Sequence, residues 1–185
     1  MALSEQMIRA SRLDIALYEE VERDLNQTSN AVTVVVITAV AAGISGLISG
    51  AMRGAGAGVL IGGLIGGIIA ALIGWLLWSG IVYVVGTTLF RGTATWGEVL
   101  RTVGFAQSPN VLRIFGFIPI LGGLITLVAG IWTIVTTIIA VRQSLDIGTG
   151  AAIVTAVIGG IVYFLVFLVI GAVLGLGGLL MGAVS

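Results

Sequence analysis

The chain has 185 residues, 58% of them hydrophobic, and its charged residues are eight arginines balanced by eight carboxylates, for a net charge of zero. That balance offers no basic surface for nucleic acid. The absence of cysteine and histidine removes disulfides, thiolate or imidazole metal sites and histidine acid–base chemistry, and a mean hydropathy of +1.22 makes lipid the expected solvent.

Residues 1–30 hold more than half of the charges. Within them, residues 4–25 read as one amphipathic helix. Ala10, Leu13, Leu17, Val21 and Leu25 recur at three- and four-residue spacing, while Arg9, Arg12, Glu19, Glu22 and Arg23 populate other faces. Such a helix lies on a membrane surface or against the end of a bundle. No apolar run of signal-peptide type stands before the first span, which is expected to act as its own insertion signal. Ser29 or Asn30 is placed to cap that span. The chain therefore divides into a cytoplasmic amphipathic segment, 1–30, and a transmembrane helical domain, 31–185.

Residues 31–50, 58–90, 118–141 and 150–184 contain no charged side chain. About 20 such residues cross a hydrocarbon core of roughly 30 Å as a helix, and only a helix satisfies its own backbone there. The second stretch is longer than a bilayer requires and is expected to tilt, kink or protrude. Across the first two, Gly46, Gly50, Gly54, Gly58, Gly62 and Gly66 share a four-residue register that Ala70 and Gly74 continue. Small residues at that spacing let helix backbones approach closely. The seam packs the two spans within one protomer, or it joins protomers into a homo-oligomer. It is not a phosphate-binding loop, since no strand precedes it and no Lys or Ser/Thr follows at the required place.

Residues 91–117 are the most polar part of the remainder, with Arg91, Glu98, Arg101, Gln107, Asn110 and Arg113 among apolar neighbours and Pro109 in the middle. Pro109 ends or kinks any helix that contains it. The segment is either a short third span with polar residues inside the bundle or an interfacial or re-entrant helix pair. If it crosses, Arg9, Arg12, Arg23, Arg91, Arg101 and Arg142 share one side and Arg53 stands opposite, which the positive-inside rule favours. The fold class is then an all-α polytopic transmembrane bundle of five spans, or four if 91–117 stays interfacial, with an N-terminal amphipathic helix.

Three pieces of the chain carry a resemblance. The first is Leu13-Asp14, Tyr18-Glu19-Glu20-Val21-Glu22, Asp24 and Thr28, leading into a valine-rich span. The second is Thr95 followed by Leu100-Arg101-Thr102-Val103-Gly104-Phe105-Ala106-Gln107-Ser108-Pro109. The third is Ile118-Pro119, Gly122-Gly123 and Trp132, then Ala140-Val141-Arg142-Gln143-Ser144-Leu145-Asp146. In this order they resemble the Yip-domain integral membrane proteins, in particular their bacterial branch. The resemblance implies a five-span bundle with a cytoplasmic N-terminus in a plasma or inner membrane. It also implies partner binding, since eukaryotic members bind small Rab/Ypt GTPases and associate with one another.

Ionisable residues at membrane depth are functional candidates by default. Here they are Glu98, Arg101, Arg113, Arg142 and Asp146, with Asn110 beside them in sequence. Glu98 with Arg101 and Arg142 with Asp146 have the spacing of helix-face ion pairs, and such pairs would close the cytoplasmic end of the bundle. Glu19, Glu22 and Asp24 could latch the surface helix onto Arg91, Arg101 or Arg142. Arg113 either snorkels or binds a lipid phosphate or anionic solute through its planar fork. No lysine or histidine is present to activate a nucleophile, so no enzyme activity and no cofactor are expected. The leading reading is a membrane-organising scaffold that binds lipid, further copies of itself, or a membrane or cytoplasmic protein partner. The alternative is a transporter or channel with a polar path along Glu98, Gln107, Asn110 and Arg113, which requires a water-accessible cavity reaching Arg113.

Overall fold

The computed structural model describes the backbone of residues 2–182 and the side chains of residues 2–170 and 172. Among the described residues the regular elements are all helices: α1 (Leu3–Ser11), α2 (Ile15–Arg23), α3 (Gln27–Met52), α4 (Ala57–Phe90), α5 (Trp96–Ala106), a 3₁₀ helix (Ser108–Phe117), α6 (Leu121–Ser144) and α7 (Thr149–Gly182). Four of them, α3, α4, α6 and α7, are long and apolar enough to cross a membrane. The end expected for the last span, at residue 184, lies outside the described residues.

The amphipathic segment is two helices rather than one. The chain turns at Leu13, whose φ is +64°, and Asp14 starts α2 by accepting from the backbone N–H groups of Ala16 and Leu17. A side-chain oxygen at this position satisfies donors that the first helical turn leaves unpaired. Arg9 then clips the two helices together, donating to Asp14 at 2.6 Å and through both ends of its fork to Glu20 at 3.0 and 3.1 Å. The turn buries Ala10, Leu17, Tyr18 and Val21 on one side of the hairpin. At the next junction, α3 begins at Gln27, ahead of the expected caps. Asn26 precedes it without a side-chain capping bond.

The chain passes five times between the two ends of the bundle. The near end carries the α1–α2 hairpin, and α3 leaves it. Gly50 and Gly43 of α3 receive Leu60 and Leu64 of α4, so α4 returns antiparallel. The third pass is the broken one. A Cβ on Gly104 would lie 2.8 Å from that of Ala31, and one on Gly116 would lie 2.8 Å from Ser45 Oγ. From Ala31 to Ser45 is about 21 Å of helix, and α5 with the 3₁₀ helix covers that distance alongside α3. α6 returns beside them, with Thr136 level with Ala106 and Thr126 near Gly116. α7 then runs antiparallel to α4, where Gly74 meets Tyr163 and Gly159 meets Trp78.

The third pass breaks where Pro109 removes a backbone donor and obstructs the preceding turn. Its exposed carbonyls need other partners at membrane depth. Ser108 Oγ donates to Phe105 O at 2.6 Å and Thr136 Oγ1 donates to Ala106 O at 2.7 Å; earlier in α5, Trp75 Nε1 of α4 donates to Leu100 O at 3.1 Å. Around this junction lies the core, with Val99, Val103, Phe105, Val34, Val141, Leu145 and Val82 all fully buried. The large, fully buried side chains gather toward the near end.

At the far end, the 3₁₀ helix joins α6 through Ile118, Pro119 and Ile120. Leu121 N donates to Pro119 O at 2.7 Å around Ile120, which has φ +66° and ψ −58°. This is a γ-turn of the rarer, strained hand, and a β-branched residue is the least suited to it. Ile120 is 98% exposed, so packing does not require its side chain. Ile120→Gly is expected to stabilise the protein by about 1 kcal/mol, strain relief exceeding the added chain entropy. Thermal unfolding in detergent checks this, and a lowered Tm would mean that the Ile120 side chain anchors the turn in lipid.

Candidate functional site

The bundle forms a ring: α3 packs on α4, α4 on α7, α7 on α6, α6 on the 3₁₀ helix, and the 3₁₀ helix on α3. The ring borders a half-open cavity of about 1110 Å³, slightly above the roughly 300–1,000 Å³ usual for small-molecule sites. Its walls are mostly apolar and include Val35, Leu47, Leu64, Trp75 and Ile138. Its polar lining is a row from the broken pass, Gln107, Asn110 and Arg113, together with Thr38, Arg53, Thr133, Thr137 and Tyr163.

The 3₁₀ conformation creates that row. Side chains three residues apart eclipse one another at three residues per turn, so Gln107, Asn110 and Arg113 stack along one edge. In an α-helix the same residues would fan around the axis by about 60° at each step. A 3₁₀ run of this length is uncommon and marks a sequence under a specific demand. Gly116, the next residue at this spacing, has no side chain and lets the pass close onto Ser45 and Thr126.

Within the row, Asn110 Nδ2 donates to Gln107 Oε1 at 2.9 Å. Asn110 is more than nine-tenths buried, and its Oδ1 has no partner within the chain. Arg113 is half-buried, and its buried Nε has none either. A Cβ on Gly130 would lie 3.9 Å from Arg113 Nη2, and Gly130 is about 14 Å along α6 from its start at Leu121. The guanidinium therefore sits at mid-helix depth. Ser79 Oγ and Thr155 Oγ1 are the other unpartnered buried side-chain polar atoms among the described residues, and neither lines the cavity.

The remaining predicted residues gather at the near end, with partners other than those expected. Glu98 caps α5, its carboxylate accepting from Thr95 N at 2.6 Å while Thr95 Oγ1 accepts from Glu98 N. It is therefore neither Arg101's ion partner nor part of the polar row. Arg142 donates to Thr149 Oγ1 at 3.4 Å, and Asp146 accepts from Thr93 Oγ1 at 3.0 Å, so the Arg142–Asp146 pair does not form. The expected carboxylate–arginine latch does not form; the hairpin is held mainly through its backbone carbonyls, with Glu19 tied to Gln143. Buried Arg101 donates from Nε to Val21 O at 3.1 Å and from Nη2 to Glu22 O. Glu19 accepts from Gln143 Nε2 at 3.3 Å and lies 3.8 Å from Arg23. Asp24 accepts from Asn26 and Gln27. Trp132 Nε1 adds a second tie, donating to Ser11 O at 2.8 Å.

The glycines also separate. Gly50 is closely approached, whereas Gly46, Gly54, Gly58, Gly62 and Gly66 have nothing within 4 Å of a built Cβ. Gly43, outside the expected register, carries part of the α3–α4 contact instead. Gly46, Gly63 and Gly67 border the cavity. No group of three or more acidic residues among the described residues is arranged to hold a metal ion.

A family model, the Yip1 domain, matches residues 17–183. The match begins inside α2 and takes in every pass of the bundle. No curated protein and no solved structure matches the chain.

Near the latch, Glu22 stands out electrostatically. Burial, then the nearby carboxylates of Asp146 and Glu98, push it up to about 7 from an ordinary 4.5. A raised carboxyl pKa means that the folded state holds the proton more tightly than the unfolded state. Between about pH 4.5 and 7 the unfolded chain binds fewer protons, so stability falls as pH rises through that window. Glu22→Gln removes this contribution. The stability difference between wild type and variant, measured by thermal unfolding at pH 5 and pH 8, should move in the variant's favour at pH 8. An unchanged difference would place Glu22 outside the acidic cluster.

Proposed function

The chain belongs to the Yip1 domain family, and from that premise we propose that this multi-pass membrane protein is non-catalytic and organises membrane by holding a lipid within its own bundle. One observation carries the reading: a guanidinium at mid-helix depth, Arg113, borders a large apolar cavity and has a buried donor without a partner. A polar group kept at that depth costs several kcal/mol unless something compensates it. A scaffold acting only through its outer surfaces has no use for such a group. The cavity that reaches Arg113 meets one requirement of a transport path, but the path is otherwise less well supported. Glu98 is taken up in the α5 cap, and the buried core of Tyr18, Leu17, Val103 and Phe105 lies between the polar row and the near end. A site closed at one end holds a ligand better than it passes one.

Native mass spectrometry of the protein, extracted gently from its membrane, tests this reading. Wild type should retain one lipid, and Arg113→Ala should retain it about tenfold less, as loss of a charge-assisted hydrogen bond predicts. A stoichiometric polypeptide partner, with only bulk lipid attached, would overturn it in favour of a protein scaffold.

The proposal also sets an orientation. Six arginines, Arg9, Arg12, Arg23, Arg91, Arg101 and Arg142, belong to the near end, and Arg53 to the far end. The positive-inside rule then puts the near end, and with it the N-terminal hairpin, in the cytoplasm. Because the chain has no cysteine, single-cysteine variants report directly. Arg53→Cys should react with a membrane-impermeant maleimide added to intact cells, and Arg91→Cys should react only after permeabilisation. The opposite pattern would invert the orientation.

A further inference from the structure

Resting on that lipid-holding reading, we infer that the cavity selects its lipid by net charge: the occupant is an anionic phospholipid, taken in preference to a zwitterionic one. The chain's net charge of zero hides a sharp segregation. Six of the eight side-chain carboxylates lie in residues 5–24, in or beside the α1–α2 hairpin. Glu98 and Asp146 stand near the start of α5 and just past the end of α6, at the same near end. Six of the eight arginines are there as well. The other two, Arg53 and Arg113, both border the cavity, and no carboxylate does. Neither arginine forms an ion pair or a side-chain hydrogen bond among the described residues.

The two arginines stand at different depths. Gly116 is level with Ser45. Arg53 lies about 12 Å beyond Ser45 toward the far end, and Arg113 lies one 3₁₀ turn, about 6 Å, before Gly116 toward the near end. Arg53 is therefore at the exposed far rim of the cavity and Arg113 in its interior. Of the Arg113 nitrogens only Nε is both enclosed and unpartnered, so the two terminal nitrogens of the fork keep accessible surface for an anion. The rest of the polar lining is neutral, and much of it is engaged: Asn110 donates to Gln107, and the hydroxyls of Thr38 and Thr133 donate to Val35 O and Ala129 O of their own helices. Neutral groups so engaged do not offset two positive charges. Charges of one sign along a cleft with low-dielectric walls concentrate its field, and charge held at membrane depth is costly until an opposite charge joins it. A phosphodiester with a neutral substituent brings one uncompensated negative charge, and its oxygens match the arginine fork. An ethanolamine or choline headgroup brings its own cation and cancels that gain.

The occupant is a membrane lipid rather than a free anion. The cavity walls between the two arginines are mostly apolar, and the side formed by α4 includes Gly63, Gly67 and Ala70. These three are exposed and project little or nothing into the space, so an acyl chain can enter past them from the bilayer.

The test is native mass spectrometry of the full chain in detergent micelles. The protein is offered an equimolar mixture of phosphatidylglycerol, phosphatidylethanolamine and phosphatidylcholine with identical acyl chains, and inorganic phosphate in a separate arm. Wild type should retain phosphatidylglycerol at least fivefold over each of the other two. Arg53→Gln, at an exposed position where folding is not at stake, should lower that preference at least twofold. Arg113→Gln, checked for folding by circular dichroism, should lower it further, and the double variant should bring it near one. Equal retention of all three lipids by wild type, or of the glycerol and ethanolamine lipids together over phosphatidylcholine, would overturn selection by charge and leave lipid holding intact. A preference that survives in Arg53→Gln would remove Arg53 from the site, and one that survives in the double variant would overturn the assignment to the arginines. Retention of inorganic phosphate in place of lipid would overturn the lipid as occupant. Retention of nothing in any arm would overturn the lipid-holding reading itself.

Discussion

The last carbonyls of a helix have no partner within it, and this bundle is organised around finding them donors from other elements. Each short helix of the near end finishes on a donor from a different element. Trp132 of α6 reaches Ser11 at the end of α1, Arg101 of α5 reaches Val21 and Glu22 at the end of α2, and Thr136 of α6 reaches Ala106 at the end of α5. At the end of α6, Leu145 O accepts from Thr93 N at 3.2 Å. These bonds tie the hairpin, the broken pass and α6 into one body. Arg101 is central because its fork serves two carbonyls at once and the surrounding core excludes competing water.

This arrangement permits the third pass to be irregular. A continuous α-helix through residues 96–117 would satisfy its own carbonyls but would scatter Gln107, Asn110 and Arg113 around its circumference. Breaking it at Pro109 costs backbone hydrogen bonds, which Ser108 and Thr136 replace, and it lines up three polar side chains on one edge. The packed near end and the hollow remainder of the ring are therefore linked: the first provides the satisfaction that lets the second exist. Tolerance of non-helical backbone only where protein covers it is the general condition for such breaks in membrane proteins.

The charge-free stretches made the four long helices legible, because only one solvent suits them. Arginine placement favoured five spans but left four open, and four helices are long and apolar enough to cross a membrane; the form of the third pass was not legible. Local ion pairing misled. Glu98 and Arg101 have helix-pair spacing, yet Thr95 stands three residues before Glu98, the signature of a capping box, and that nearer use wins. Arg142 and Asp146 are also four apart, but Asp146 lies past the end of α6 with φ +53°, off the helix face the pairing assumed. The single amphipathic helix failed for a similar reason, since Asp14 is a helix start inside an otherwise continuous apolar stripe. The three-residue spacing of Gln107, Asn110, Arg113 and Gly116 was visible throughout, but it has meaning only once the 3₁₀ conformation is known.

The glycines of α3 and α4 show how one pattern can serve two physical ends. At Gly43 and Gly50 the missing side chain admits a leucine from the facing helix, the close approach expected of small residues in lipid. At Gly46, Gly63 and Gly67 the same absence maintains space, because any larger residue would project into the cavity above Arg113. Lipid supplies little drive to collapse such a space, since tails are as apolar as the walls and exchange one set of dispersion contacts for another. A hollow that would cost a water-soluble core dearly is thus cheap on its apolar side here. Its energetic demand falls on the polar side chains that border it, Arg113 and Asn110 among them.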